Sequence, residues 1–418
     1  MDIPHHQIPG KKAIIPYYAA GAMSLVIIGL LTFISRKDFG GHFFQPHLLA
    51  ITHLTVLGWG TMVIMGASNQ LIPVITDQKL YSERVSIAVF LSLTIGTCLL
   101  VHSFWNFELG ILVLTGATLV LTAFILHAVN MFLTSKKAQK NNIIVDFVLT
   151  AHIWLIVTGT IGATLLLNFR FGFLPADHLH YLKVHASVGM AGWFLLLIIG
   201  VSSRLIPMFL LSRKEAKKYL TAAYYLINGG LVLLLIEGMG LHSTRWHVVY
   251  IALIIGGLLF YLVYIRHCFK SAIRKKMDAG MKQTFIALGV VTLPFLFLMI
   301  AIFSYSQTPV SIITAYGYSF FAGFITILIM GQTFKTLPFI VWMHLTKPEK
   351  LAQLQPKDLY NEHLVVLQTL IYLPGFLLFL SGILLKLQVF IYAGSLLMLG
   401  VSVLYFGHVL YVISKLRK

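Results

Sequence analysis

Long apolar runs separated by short polar turns make up nearly the whole chain. They fall at roughly 14–35, 46–74, 82–104, 108–134, 144–168, 178–211, 216–241, 246–268, 282–306, 311–341, 362–385 and 389–414. A helix needs about 20 apolar residues to cross the hydrocarbon core of a bilayer, and each run has that length. The pattern predicts an all-α polytopic membrane protein with twelve transmembrane helices and no separate soluble domain.

Three of the runs share polar punctuation. The first carries Gly66-Ala67-Ser68-Asn69-Gln70-Leu71-Ile72-Pro73, and the second Gly200-Val201-Ser202-Ser203-Arg204-Leu205-Ile206-Pro207. The third carries Gly331-Gln332-Thr333-Phe334-Lys335-Thr336-Leu337-Pro338. Fifteen residues before each proline stands a glycine with an aromatic neighbour: Gly58-Trp59, Gly192-Trp193 and Gly323-Phe324. From Pro73 to Pro207 to Pro338 the spacing is nearly constant, and a period this long reads as related multi-helix units rather than a solenoid. The expected organisation is one transmembrane domain, 1–418, holding three pseudo-threefold four-helix units at about 14–134, 144–268 and 282–414.

Composition agrees: 58% of residues are hydrophobic and 11% charged, with a mean hydropathy of +0.87. A soluble protein could not cover that much apolar surface. The run from Ala13 to Ile34 lacks an obvious processing site, so no cleavable signal peptide is expected. Cys98 and Cys268 lie in different apolar runs and read as structural thiols.

The formal charge of +18 reports topology rather than nucleic-acid binding. About 25 of the 31 Lys and Arg lie on the side of the termini and the even-numbered connections, and Arg36, Lys37, Arg170, Lys183, Arg245 and Lys386 lie on the other. The positive-inside bias then places both termini in the cytoplasm, most simply of a bacterial cytoplasmic membrane.

This orientation puts His42, His47, His53, His102, His178, His180, His185, His242 and His247 in the outer half, His5, His6, His127, His152, His267, His344 and His363 on the cytoplasmic or inner side, and His408 near mid-membrane. A histidine inside a bilayer is costly unless it lines a cavity, pairs or binds something. His53 precedes Pro73 by twenty positions and His185 precedes Pro207 by twenty-two; Tyr318 and Tyr316 stand at those offsets from Pro338. Imidazole suits iron, copper and zinc. The glycines of these helices read either as close helix contacts or as room for a flat macrocycle. Glu237, the only acid well inside a span, reads as a proton-relay carboxylate or as an interfacial residue. Gln70, Arg204 and Lys335 occupy equivalent positions and read as snorkelling anchors.

With its three arcs of four helices and outer histidines, the chain resembles subunit I of the haem–copper oxidase superfamily. The stretch from His53 to Pro73 is similar to the second helix of the nitric oxide reductase branch. The resemblance implies a haem-binding membrane oxidoreductase moving electrons toward O2 or NO, supplied by an electron-donor subunit or cytochrome. It implies non-covalent b-type haem and copper as cofactors, with His53 an axial ligand, His185 a second ligand to iron or copper, and His47 and His102 as further candidates. The family's tenth-helix His-x-His is replaced by Tyr316 and Tyr318, and an adjacent histidine pair on the seventh helix is missing. A weaker resemblance, on span count and outer histidines, is to NnrS-type haem–copper membrane proteins linked to nitric oxide stress. Two other readings stay open: a non-respiratory haem, copper or nitric-oxide-response protein, and a metal or proton transporter. The return of each unit to the same side disfavours inverted-repeat transporters.

Overall fold

In the computed structural model the described residues are 9–136, 138, 142–212, 216–241, 246–274, 277–304, 308–345 and 354–417. Among them are twelve helices long and apolar enough to cross a membrane, and no β-strand. We number them α1 (Lys11–Ile34), α2 (Pro46–Thr76), α3 (Glu83–Asn106), α4 (Ile111–Ser135), α5 (Ile143–Phe171), α6 (His178–Leu210), α7 (Lys217–Gly240), α8 (His247–Lys270), α9 (Ala279–Ser304), α10 (Val310–Met343), α11 (Glu362–Leu385) and α12 (Gln388–Ser414). No end differs from the expected spans by more than three residues. His5, His6, Arg245 and His242 lie outside the described residues, as do the basic residues Arg213, Lys214, Lys275 and Lys276.

The chain divides into two compact units. One holds Leu71–Ser92 and Leu109–Lys276, and therefore α4 to α8. The other holds Pro9–Gln70, Leu93–Glu108 and Met277–Lys418, and therefore α1, most of α2, and α9 to α12. In the first unit α4 packs on α5, α5 on α6 and α7 on α8. In the second, α1 packs on α2 and α12, α9 on α10, and α11 on α12.

The three motif helices α2, α6 and α10 are not uniform. Each widens into a π-helical stretch, at Leu54–Thr61, Val188–Leu195 and Ser319–Ile325. Every stretch begins nineteen residues before the motif proline: 54 to 73, 188 to 207 and 319 to 338.

The motif glycines have a packing role. A Cβ on Gly58 would stand 2.9 Å from Ser24 Oγ, and one on Gly66 2.5 Å from Tyr17 Cβ. On α6, Gly192 would meet Trp154 Cβ at 2.6 Å and Gly200 Phe147 Cβ at 2.8 Å. On α10, Gly323 would meet Val290 Cγ1 at 2.9 Å and Gly331 Gln283 Cβ at 2.8 Å. The partners Tyr17/Ser24, Phe147/Trp154 and Gln283/Val290 are each seven residues apart. The preceding helix is thus seated on its motif helix in one common register, in three separate helix pairs. Lipid offers no hydrophobic drive for helix association, so close approach over small residues is what holds such pairs together. The aromatic residue after each first glycine is fully buried: Trp59 at 0% exposure, Trp193 and Phe324 at 1%.

Candidate functional site

In the second unit His53 ends the α-helical start of α2, one residue before the π stretch. Its Nδ1 lies 2.8 Å from the Leu49 carbonyl. A carbonyl can only accept, so Nδ1 carries the proton and the lone pair is on Nε2, the arrangement of many metal-ligating histidines. The ring packs against Phe104 on α3, centroids 4.6 Å apart. His47, six residues earlier, has a different partner. Its Nδ1 is 2.5 Å from Asp38 Oδ2, and its ring rests on Trp105 at 4.1 Å. His102 is exposed, and its carbonyl accepts from the Asn106 amide at 3.1 Å. Neighbouring aromatics of α3, Phe104 and Trp105, therefore pack on His53 and His47 respectively, while His102 faces outward.

Tyr318 is a packing residue. Its ring lies between Phe376 and Phe379, 5.4 and 4.8 Å away, and its hydroxyl donates to Met398 Sδ at 3.0 Å. Lys335 corrects the snorkelling expectation. Its Nζ pairs with Asp278 at 2.5 Å, and both side chains are largely covered. Asp278 also caps the start of α9 through the Met281 N–H at 3.0 Å. Gln70 is buried at 3% exposure. Of the three equivalent positions only Arg204 is exposed.

In the first unit His185 precedes its π stretch by three residues, and its Nδ1 donates to the Thr158 carbonyl of α5 at 3.0 Å. The ring lies over Gly162, where a Cβ would be 2.9 Å from Cε1. His180 Nε2 donates to the Gly238 carbonyl at 2.8 Å. Glu237 is 2% exposed, in a π-helical turn at Ile236–Leu241 that ends α7. Its carboxylate accepts the Trp246 N–H at 2.6 Å, just ahead of α8. That places a negative group at the positive end of the α8 dipole, which is stabilising. Glu237 is therefore a buried link between consecutive helices.

Two further histidines meet. His127 of α4 and His152 of α5 are fully buried, with ring centroids 5.1 Å apart. The sequence carried one signal for this. His127 lies eight residues before the end of α4 and His152 nine after the start of α5, so a tight antiparallel hairpin brings them level.

Among the described residues, no three His, Cys, Asp or Glu side chains are grouped as a metal site. At His53 and at His185 the ring bonds a carbonyl through Nδ1, the tautomer that an Nε2 metal ligand requires. The motif glycines supply no cradle for a macrocycle, since side chains of the preceding helices fill them. No protein-family model matches the chain, and no curated protein is similar to it.

Proposed function

We propose that the chain is a divergent, non-respiratory membrane protein holding an imidazole-ligated redox group, haem or copper, on a scaffold similar to subunit I of the haem–copper oxidases. The observation that carries this reading is the state of His53 and His185. Each stands just ahead of a π-helical stretch, and each ring donates through Nδ1 to a carbonyl, which directs the basic nitrogen away from the backbone. π-Helical turns inside α-helices are frequent at functional sites. When bound, haem iron or copper supplies one-electron chemistry and a position for a diatomic gas such as O2 or NO.

Within this reading His53 is the axial ligand in its unit, and His185 ligates iron or copper in the other. Phe104 limits rotation of the His53 ring, and Gly162 admits the His185 ring to α5. His47 is held by Asp38 and acts as a positioning residue at the start of α2. His102 faces outward, toward lipid or a partner. Glu237, already accepting a backbone proton, relays protons only by exchanging that bond. The cytoplasmic placement of both termini and an electron-donating cytochrome or subunit belong to this proposal. The respiratory form, turnover of O2 or NO, requires a second ligand set that the tenth-helix tyrosines do not supply.

The test is a reduced-minus-oxidised spectrum with iron and copper analysis on the full chain purified from its own membranes. We expect a Soret band or stoichiometric copper, diminished in His53→Ala or His185→Ala. Wild-type protein free of both porphyrin and copper overturns the reading.

A further inference from the structure

A groove lies at the end of the α1/α12 pair away from Lys11 and Ser414, outside the site just described. It is open, has a volume of about 420 Å³ and is lined by Arg36, Lys37, Gln388, Val389 and Tyr392. The turn Arg36–Gly40 follows α1, and Gln388 opens α12. The Arg36 side chain is held in place. Its Nη1 donates to the Phe33 carbonyl at 2.9 Å. Its guanidinium carbon stands 5.1 Å from the Phe33 ring centroid and 5.3 Å from that of Tyr392. Among the described residues neither Arg36 nor Lys37 meets a carboxylate. Asp38, next in sequence, is taken by His47. Two cations therefore share one groove with no counter-charge, and most of the Arg36 N–H donors remain uncommitted.

We propose that this groove binds the phosphate of an anionic phospholipid, in the leaflet on the side away from Lys11 and Ser414. Arg36 supplies the planar fork that grips a phosphate through two parallel N–H···O bonds. Lys37 adds a second positive charge, and Gln388 an amide donor. The start of α12 adds to this. Leu387 gives it no side-chain cap, so the positive end of a 27-residue helix opens on the same residues. The apolar surroundings choose a lipid over a soluble anion. Val389, Tyr392 and Leu396 form an exposed face of α12 that runs from the groove toward mid-membrane. On α1, which packs on α12, Ile34 and Leu30 are exposed too. The Phe33 and Tyr392 rings join the two faces, with centroids 5.6 Å apart. In a bilayer such side chains meet acyl tails, while a basic side chain at a helix end reaches the headgroup level. A phosphate in the groove thus has its own acyl chains along Leu30 and Leu396. Net charge decides the headgroup, because a zwitterionic lipid brings a cation that Arg36 and Lys37 repel. The groove lies within one compact unit and uses neither His53 nor His185, so it does not rest on the function proposed above.

The experiment uses the full chain in detergent, stripped of lipid. Phosphatidylglycerol or phosphatidylcholine is added back, and bound lipid is counted by native mass spectrometry. Wild type is expected to retain phosphatidylglycerol in preference to phosphatidylcholine. A cation near the membrane surface contributes roughly five-fold in affinity. Arg36→Gln combined with Lys37→Gln should therefore weaken phosphatidylglycerol binding by about 25-fold. Arg36→Lys, which keeps the charge and loses the fork, should weaken it by less. Arg170→Gln, which removes a cation of the other compact unit, should leave it unchanged. The comparison of the two lipids on wild type stands even where a variant fails to fold. Equal retention of both lipids by wild type overturns the site, as does a loss in Arg170→Gln as large as in the groove variants. Glycerol phosphate serves as the soluble competitor. If it displaces the lipid as effectively as added phosphatidylglycerol does, the groove takes a soluble anion and the lipid site is overturned.

Discussion

The pairs α1/α2 and α5/α6 share one packing register and differ in chemistry. In each, two glycines eight residues apart on the motif helix receive two side chains seven apart on the preceding helix. The pair α1/α2 takes Tyr17 and Ser24; the pair α5/α6 takes Phe147 and Trp154. The histidines behave differently. His53 bonds a carbonyl of its own helix, whereas His185 reaches across to Thr158 of α5. His185 is therefore hydrogen-bonded across its helix pair, while His53 bonds within its own turn and packs on Phe104 of α3. The glycines fix how the helices meet, and the register leaves the polar residues free to take up separate duties.

The sharpest way to break the shared register is to fill it. Gly66→Val and Gly192→Val would drive a side chain into Tyr17 Cβ and Trp154 Cβ. Each should destabilise by about 1–3 kcal/mol, read as a fall in unfolding temperature in detergent. Equal losses confirm a common role; a loss in only one pair ends the comparison. A smaller effect is expected at Lys335. Lys335→Met leaves the Asp278 carboxylate with only its backbone donor, at a cost of about 2 kcal/mol. Asp278→Asn in the same background should recover part of it, measured as a double-mutant cycle. The smallest effect concerns the aromatic positions. Trp59→Phe loses the indole bond to Thr326 Oγ1, 3.1 Å long. It should cost about 1 kcal/mol, in line with interhelical hydrogen bonds in membranes.

The spans were legible because bilayer thickness dictates their length, and short polar turns mark both ends of Glu83–Asn106 and Gln388–Ser414 alike. The motif glycines were legible as a repeat but not as contacts. Whether Gly192 faces a macrocycle or Trp154 depends on a helix crossing that spacing alone leaves open. The structural likeness covers three helix pairs, and the four-helix repeat remains a pattern of sequence. Charged residues were the hardest to read. Lys335 looked like Arg204 in the alignment of motifs, yet Asp278, fifty-seven residues earlier, captures it. Nothing in the spacing of Glu237 announces its bond from the Trp246 N–H, nine residues on. His127 and His152 were each visible, but their meeting requires the register of the α4–α5 hairpin.

The π-helical stretches have a consequence for how such a chain can change over time. A wider turn accommodates about one residue more than an α-turn. A deletion or insertion just ahead of the glycines can therefore be absorbed at that turn without unseating the neighbouring helix. His53 and His185 stand at different distances from their prolines, two positions apart in register, although the stretches themselves keep one distance. The N-terminal ends of α2, α6 and α10 are in this sense interchangeable heads on a fixed stem. Side chains such as His53 and His185 can be gained, shifted or exchanged for tyrosine there while the membrane body stays whole.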